Sequence, residues 1–223
     1  VVDEIPNVAP GIAGRARHRG RGGSDAARRL WTGAPPGPDP FALPRGPLGR
    51  AAGWALALTG RGHNAELIAA LRVPPGAAVL EVGHGPGVLL GMLAAVPGTS
   101  VTGVDPSPEM VRMARRRNAA AVRAGRLRVA EGRADATGLP AASVDLVVTV
   151  NTVAMWPRLD PGMAEFHRVL RPGGRAVVAW HRLPPRFALA PAELAEVERA
   201  LAARFGAAGR TVLRRSVVFT AVR

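Results

Sequence analysis

The sequence predicts an α/β protein: a mainly parallel sheet of seven strands, helices on both faces, and an antiparallel strand pair at the C-terminus. Three observations carry this. From residue 77 onward, short continuous apolar runs alternate with helical stretches. Runs of that length bounded by Gly and Pro read as strands buried on both faces, the condition of a parallel sheet covered by helices. The chain of 223 residues suits one domain with an appendage, long enough to bury a core.

The elements follow in order. Residues 1–43, with RARHRGRGG and TGAPPGPDP, carry few large apolar side chains, and the expectation is a solvated tail. Residues 44–72 read as a helical arm: 47–59 place Leu48, Ala51, Ala52, Ala55 and Leu58 on one stripe with Trp54 a turn before Leu58, and 64–72 form a second helix with Asn64 as its N-cap. The main domain then spans 73–223. Strands are expected at 77–82, 100–105, 126–132, 144–150 and 175–180, and helices at 87–95, 108–121, 163–170 and 191–205. Pro191 suits the first turn of the last helix. TVLRR and VVFTAV supply the closing strand pair. In such a sheet, ligands bind at the carboxyl ends of the strands, where the strand order switches.

Composition excludes several classes. Cys is absent, so there is no disulfide framework, thiolate zinc site or Cys nucleophile. No apolar run reaches the roughly 18 residues of a membrane span. The N-terminus lacks the basic and apolar regions of a secretory signal, and a cytoplasmic location is the expectation. The formal charge is +14, with 30 Arg and no Lys. Residues 1–63 hold nine Arg and four acids, and residues 64–223 hold 21 and 12, so the excess is not one tail. It reads either as the imprint of a GC-rich genome or as a surface for a polyanion.

The sharpest local signal is VLEVGHGPGVLL, residues 79–90. Glu81 closes a strand, and Gly83, Gly85 and Gly87 alternate through the turn into a helix. Glycines permit a tight turn and close approach of backbone to a ligand. Val88 stands where a dinucleotide fingerprint needs a third small residue, so the spacing argues against that motif. Asp105 ends the next strand, where an acid can accept both hydroxyls of a ribose or cap the following helix.

These motifs continue through ADATGLP (134–140), SVDLVVTVNTVAMW (143–156) and FHRVLRPGGRAVVAW (166–180). The series, over residues 64–223, resembles the class I S-adenosylmethionine-dependent methyltransferases of the small-molecule type. PRGPLGR (44–50) is similar to the N-terminal arm of some bacterial members. The resemblance implies a Rossmann-like fold, S-adenosylmethionine as cofactor and a small organic methyl acceptor. It implies that Glu81, Gly83, Gly85 and Gly87 form the cofactor loop, with Gly83 and Gly85 nearest the methionine moiety. It places Asp105 on the ribose, Pro106 and Ser107 beside the adenine, and Asp135 on the adenine amino group, flanked by Ala134 and Ala136. Asn151 falls near the methionine end.

Two departures from the family pattern stand out. His84 occupies a position often small or aromatic, facing either the acceptor or solvent, and the segment between the third and fourth strands leaves little room for a helix. Methyl transfer needs placement more than a fixed catalytic residue. Where a base helps, the candidates are His181, His84 and His63. Glu165 and His167 read as helix surface. Trp54 and Trp156 are candidate walls of an acceptor pocket, with packing of Trp156 on the 163–170 helix the alternative. No metal site is expected. RNA methylation is suggested by charge alone, since the fourth strand ends VNTVAMW rather than in an NPPY-type motif; a non-catalytic cofactor- or polyanion-binding protein is the reading from another class.

Overall fold

The computed structural model describes residues 62–182 and 188–223. The proposed tail, most of the arm and Trp54 lie outside the described residues. The elements are α1 (62–71), β1 (Ala78–Val82), α2 (Val88–Leu93), β2 (Ser100–Asp105), α3 (Pro108–Arg117), α4 (Ala119–Arg123), β3 (Leu127–Glu131), β4 (Val144–Val150), a 3-10 turn (Val153–Met155), α5 (Leu159–Val169), β5 (Leu170–His181), α6 (Pro191–Phe205), β6 (Gly209–Val212) and β7 (Ser216–Val222).

The strands form one sheet in the order β3-β2-β1-β4-β5-β7-β6. The β1–β2, β1–β4, β2–β3 and β4–β5 pairs are parallel, and β7 is antiparallel to both β5 and β6. β7 is thus the one strand that runs against the rest. The order reverses between β1 and β4, so the carboxyl ends of those strands open a crevice.

The expected architecture holds, with local differences. The helix after β2 breaks at Asn118, whose φ of −109° departs from helical geometry. β6 ends at Val212, because Leu213 donates back to the Ser216 carbonyl and closes the hairpin. Arg171–Gly174 lies within β5, where the register with β4 slips between Val144 and Leu146. Residues 62 and 63 are already helical, so Asn64 lies inside α1 and is buried rather than capping it.

α1 belongs to the domain. Leu67 and Leu71 are buried in the same cluster as Val79, Leu90 and Val148. Arg175 donates to the Leu71 carbonyl at 2.7 Å, and the Arg215 N–H donates to Glu66 at 3.0 Å. The opposite sheet face buries Leu80, Val147, Phe166, Val178, Leu201 and Phe219. Two apolar faces on one central sheet are what strands without polar alternation demand.

Candidate cofactor site

The turn after β1 places three glycines in the left-handed region: φ is +71° at Gly83, +52° at Gly85 and +77° at Gly87. Each does something different. A Cβ on Gly83 would lie 2.4 Å from Thr152 Cγ2, and one on Gly87 would lie 2.7 Å from Ala114 Cβ and 2.9 Å from its Cα. Among the described residues, Gly85 has nothing within 4 Å of that position. Gly83 and Gly87 therefore let the chain just after β4 and α3 close on the turn, and Gly85 keeps a face clear of the described residues.

The turn is tethered from three sides. Asp105 Oδ2 accepts the Gly85 N–H at 2.8 Å, and its Oδ1 accepts the Ser107 N–H at 2.9 Å. Ser107 itself caps α3 by accepting the Met110 N–H, so Asp105 is not that helix's N-cap. From the end of α3, Arg117 donates to the Pro86 carbonyl at 3.0 Å and Asn118 Nδ2 to the Gly87 carbonyl at 2.9 Å. Beneath the turn, the fully buried Thr149 donates to the Val82 carbonyl at 2.8 Å. Its one hydroxyl hydrogen is thereby used, so Thr152 donates in the Thr149–Thr152 hydroxyl contact. Reading the sequence missed Thr149, Thr152, Arg117 and Asn118. A lone Thr inside the apolar run VDLVVTV and an Asn at a helix break were the available signals.

Three titratable groups meet under the loop. Glu81 is 3% exposed, and its Oε2 has no hydrogen-bond partner among the described residues. Burial, and then the nearby Asp105 carboxylate, push the Glu81 carboxyl well above its ordinary range. Burial raises Asp105 too, opposed by His84 and the two loop N–H groups. His84 is 4% exposed, with Nδ1 2.7 Å from the Gly85 carbonyl. A carbonyl only accepts, so Nδ1 carries the proton and the buried, unpartnered Nε2 holds the lone pair. Burial lowers the imidazole's pKa against the pull of Asp105.

His84 is thus buried and does not face solvent, one of the two expected environments. Gly103 in β2 explains this, since a Cβ there would come within 3.0 Å of His84 Cδ2 and 2.7 Å of Leu90 Cδ1. The missing side chain leaves the space that the ring fills.

After β3, no helix forms before β4, as the short segment implied. The Gly132 N–H donates to the Asp105 carbonyl at 3.2 Å, and Arg133 and Ala136 exchange backbone bonds. Arg133 grips Asp135 as a fork, with both contacts at 2.9 Å, and that pairing lowers the Asp135 pKa. The carboxylate keeps lone pairs beyond those two bonds.

Glu165, expected on the helix surface, is buried instead. It accepts the Thr137 N–H at 2.9 Å and hydroxyl at 2.6 Å, and Arg168 at 2.7 Å. The loop following Asp135 is pinned to α5 by this carboxylate, whose pKa falls to about 2, led by the Arg168 bond. A carboxyl depressed from its ordinary value stabilises the fold fully above the unfolded-state pKa, and that stability is lost as pH falls through about 2. Glu165→Gln is expected to cost about 2 kcal/mol at pH 7 and to flatten the loss of urea resistance below pH 5. An unchanged unfolding midpoint at pH 7 would refute this.

At the ends of β4 and β5, Asn151 adopts φ +57°. Its Oδ1 accepts the His181 N–H at 2.7 Å, and its own N–H donates to the Ala179 carbonyl at 3.0 Å. The side chain clamps the two strand ends together. His181 Nδ1 lies 3.0 Å from Ser216 Oγ, and its ring centroid is 4.5 Å from that of His63. Burial, then the neighbouring His63, brings the His181 pKa down to about 4. The neutral imidazole therefore stabilises the fold fully above about pH 6.5, and the gain is lost as pH falls from there through about 4. His181→Asn should remove that part of the acid profile in urea titrations. A profile matching wild type between pH 7 and 4 would refute it.

Trp156 does not line the cleft. It is 8% exposed, lies over Gly162 with its Cζ3 2.5 Å from where a Cβ would stand, and meets Phe166 edge-on at 5.6 Å. Its apolar area is used in the core, where an aromatic side chain contributes most. Among the described residues there is no cluster of three or more His, Cys, Asp or Glu able to hold a metal ion. No described helix is long and apolar enough to cross a membrane.

An open glycine turn lies at the switch point, with a strand-end acid beside it and, among the described residues, a buried carboxyl oxygen without a hydrogen-bond partner. Residues 79–174 match the family model for a methyltransferase domain. The uncharacterized methyltransferase YdaC of Bacillus subtilis is 32% identical over 160 residues, 71% of this chain and 84% of that protein. The demethylmenaquinone methyltransferase of Chlorobaculum tepidum is 36% identical over 106 residues, 48% of this chain and 41% of that protein; the chain thus spans less than half of that relative. Among solved structures, a SAM-dependent methyltransferase from Aquifex aeolicus superposes with a TM-score of 0.62 at 17% identity, covering 77% of this chain and 96% of that one. The geranyl diphosphate C-methyltransferase of Streptomyces coelicolor gives 0.60 at 16%, covering 84% and 89%. The chain belongs to the class I S-adenosylmethionine-dependent methyltransferases, and S-adenosylmethionine is its cofactor.

Proposed function

We propose that this enzyme methylates a small organic acceptor. The observation that carries the reading is the likeness to relatives named for such acceptors: the demethylmenaquinone methyltransferase already described, and the nocamycin O-methyltransferase of Saccharothrix syringae, 35% identical over 133 residues. The geometry is compatible with it. The β4–α5 connection, residues 151–158, is short and folds into a buried 3-10 turn.

The residues present fit the cofactor. The clear face of Gly85 admits the methionine end, with Gly83 beside it and the unpartnered Glu81 Oε2 available to a donor. Asp105 would hold the ribose using lone pairs beyond those on Gly85 and Ser107, with Pro106 and Ser107 beside the adenine. Ala134 and Asp135 flank the adenine. Asn151 orders the strand ends near the methionine end by holding His181.

The bound cofactor supplies a methyl group on an already activated sulfonium. What remains for the protein is to set the acceptor atom about 3–3.5 Å from that methyl, in line, and to exclude water. His181 ends β5, and the His63 ring lies 4.5 Å from it. Held near a pKa of about 4, His181 passes a proton on rather than storing it, so a base role there predicts a rate limb near pH 4 and none near 6.5.

Two measurements test the reading. In calorimetry, S-adenosylhomocysteine should bind in the micromolar range and NAD should not bind. With a tritiated methyl donor and a cell extract, label should enter the small-molecule or lipid fraction. Label confined to RNA or protein would overturn the small-acceptor assignment.

A further inference from the structure

Among the described residues, the positive charge is concentrated at one place. Residues 106–133, comprising α3, α4 and β3, contain eight Arg and only two acids, Glu109 and Glu131. The other described residues contain twelve Arg and ten acids. All eight arginines of the segment are exposed, and β3 is the edge strand of the sheet. A GC-rich genome accounts for Arg in place of Lys. It does not account for the segregation of basic from acidic residues, because that bias acts along the whole chain. Arg112 pairs with Glu109 and Arg133 with Asp135. Arg116, Arg123, Arg126 and Arg128 form no ion pair with any described residue.

We propose that the α3–α4–β3 edge is a docking surface for the phosphodiester backbone of a nucleic-acid duplex, separate from the methyl-transfer site. Guanidinium groups present forked donors matched to phosphate oxygens. Clustered arginines that release counterions supply sequence-independent affinity. The segment has no Phe, Trp or Tyr, so it offers no platform for stacking unpaired bases, and a paired backbone is the better fit. A membrane surface is disfavoured because stable binding there adds buried apolar area to charge. Among the described residues, the exposed large apolar side chains, Val212 and Val222, belong to β6 and β7 at the opposite edge. The inference stands whichever acceptor is methylated.

The test uses the full chain and a short fluorescein-labelled DNA duplex, followed by anisotropy across a salt series. Wild type should bind at low salt with a steep dependence. The quadruple variant R116A/R123A/R126A/R128A should lose at least about tenfold in affinity, and the slope of log K against log salt should become shallower by roughly 3–4, near 0.9 per phosphate contact removed. Its S-adenosylhomocysteine affinity should be unchanged, which shows that the fold and cofactor site persist. A control variant, R158A/R199A/R204A/R214A, removes the same charge elsewhere and should keep most of the binding. Absence of duplex binding by wild type, equal loss in both variants, or retained binding in the edge variant would each overturn the proposal. So would tighter association with phosphatidylserine vesicles than with the duplex.

Discussion

Asp105→Ala is expected to weaken S-adenosylhomocysteine binding by roughly 30- to 150-fold, about 2–3 kcal/mol. Two losses contribute. Ribose hydroxyls lose a charged acceptor, and the Gly85 and Ser107 N–H groups lose the carboxylate that orders the turn. Asp105→Asn should not rescue, because its amide nitrogen would face one of those N–H groups with a donor. A deoxyribose analogue of the ligand separates the two losses. Wild type should discriminate against it about tenfold, and the Ala variant should not discriminate at all. If Asp105→Ala binds like wild type, the carboxylate has no part in the site. If both proteins discriminate equally, Asp105 orders the loop without touching the ribose.

Gly85→Ala and Gly87→Ala should fail in opposite ways. At Gly85 a methyl meets no atom of the described residues within 4 Å, so the fold loses only the cost of a non-glycine residue at φ +52°, about 1–2 kcal/mol. The methyl does fill the face left clear for the ligand, and cofactor affinity should fall roughly 100-fold, about 3 kcal/mol. At Gly87 the methyl meets Ala114 Cβ and the α3 backbone, which cannot swing aside as a long side chain can. That variant should lose about 2–4 kcal/mol of stability through strain and overpacking, while its folded fraction keeps much of its affinity. Urea unfolding with and without ligand reads both quantities. Equal binding by Gly85→Ala and wild type would show that the open face is not where the cofactor lies.

The reverse assignment, with Gly87 at the ligand, could not have been excluded before the fold was known. Alternating glycines state that the chain turns left-handed three times. They do not state which turn faces a neighbour. Glu165 makes the same point: its helix pattern reads as surface, because a Glu three residues before an Arg is the usual exposed pair. It is buried because the Thr137 loop, 28 residues earlier, folds onto α5 and supplies the remaining hydrogen bonds. His84 was open between two environments until Gly103, on a different strand, left room for its ring.

What the sequence by itself determined is whatever depends on neighbours along the chain. The apolar runs specified the strands, their lack of alternation specified a sheet covered on both faces, and the glycine turn with Asp105 at the next strand end specified where a nucleoside could lie. Only the tertiary structure decided which polar groups are already engaged. Trp156 was assigned to core rather than pocket by Gly162 and Phe166 on α5, and Asn151 to a clamp by the His181 N–H across two strands. The concentration of arginines on one sheet edge likewise needed the strand order. The physical reason is common to all of these. Burial and hydrogen-bond satisfaction are set by contacts between residues distant in the chain, and local pattern carries no record of them.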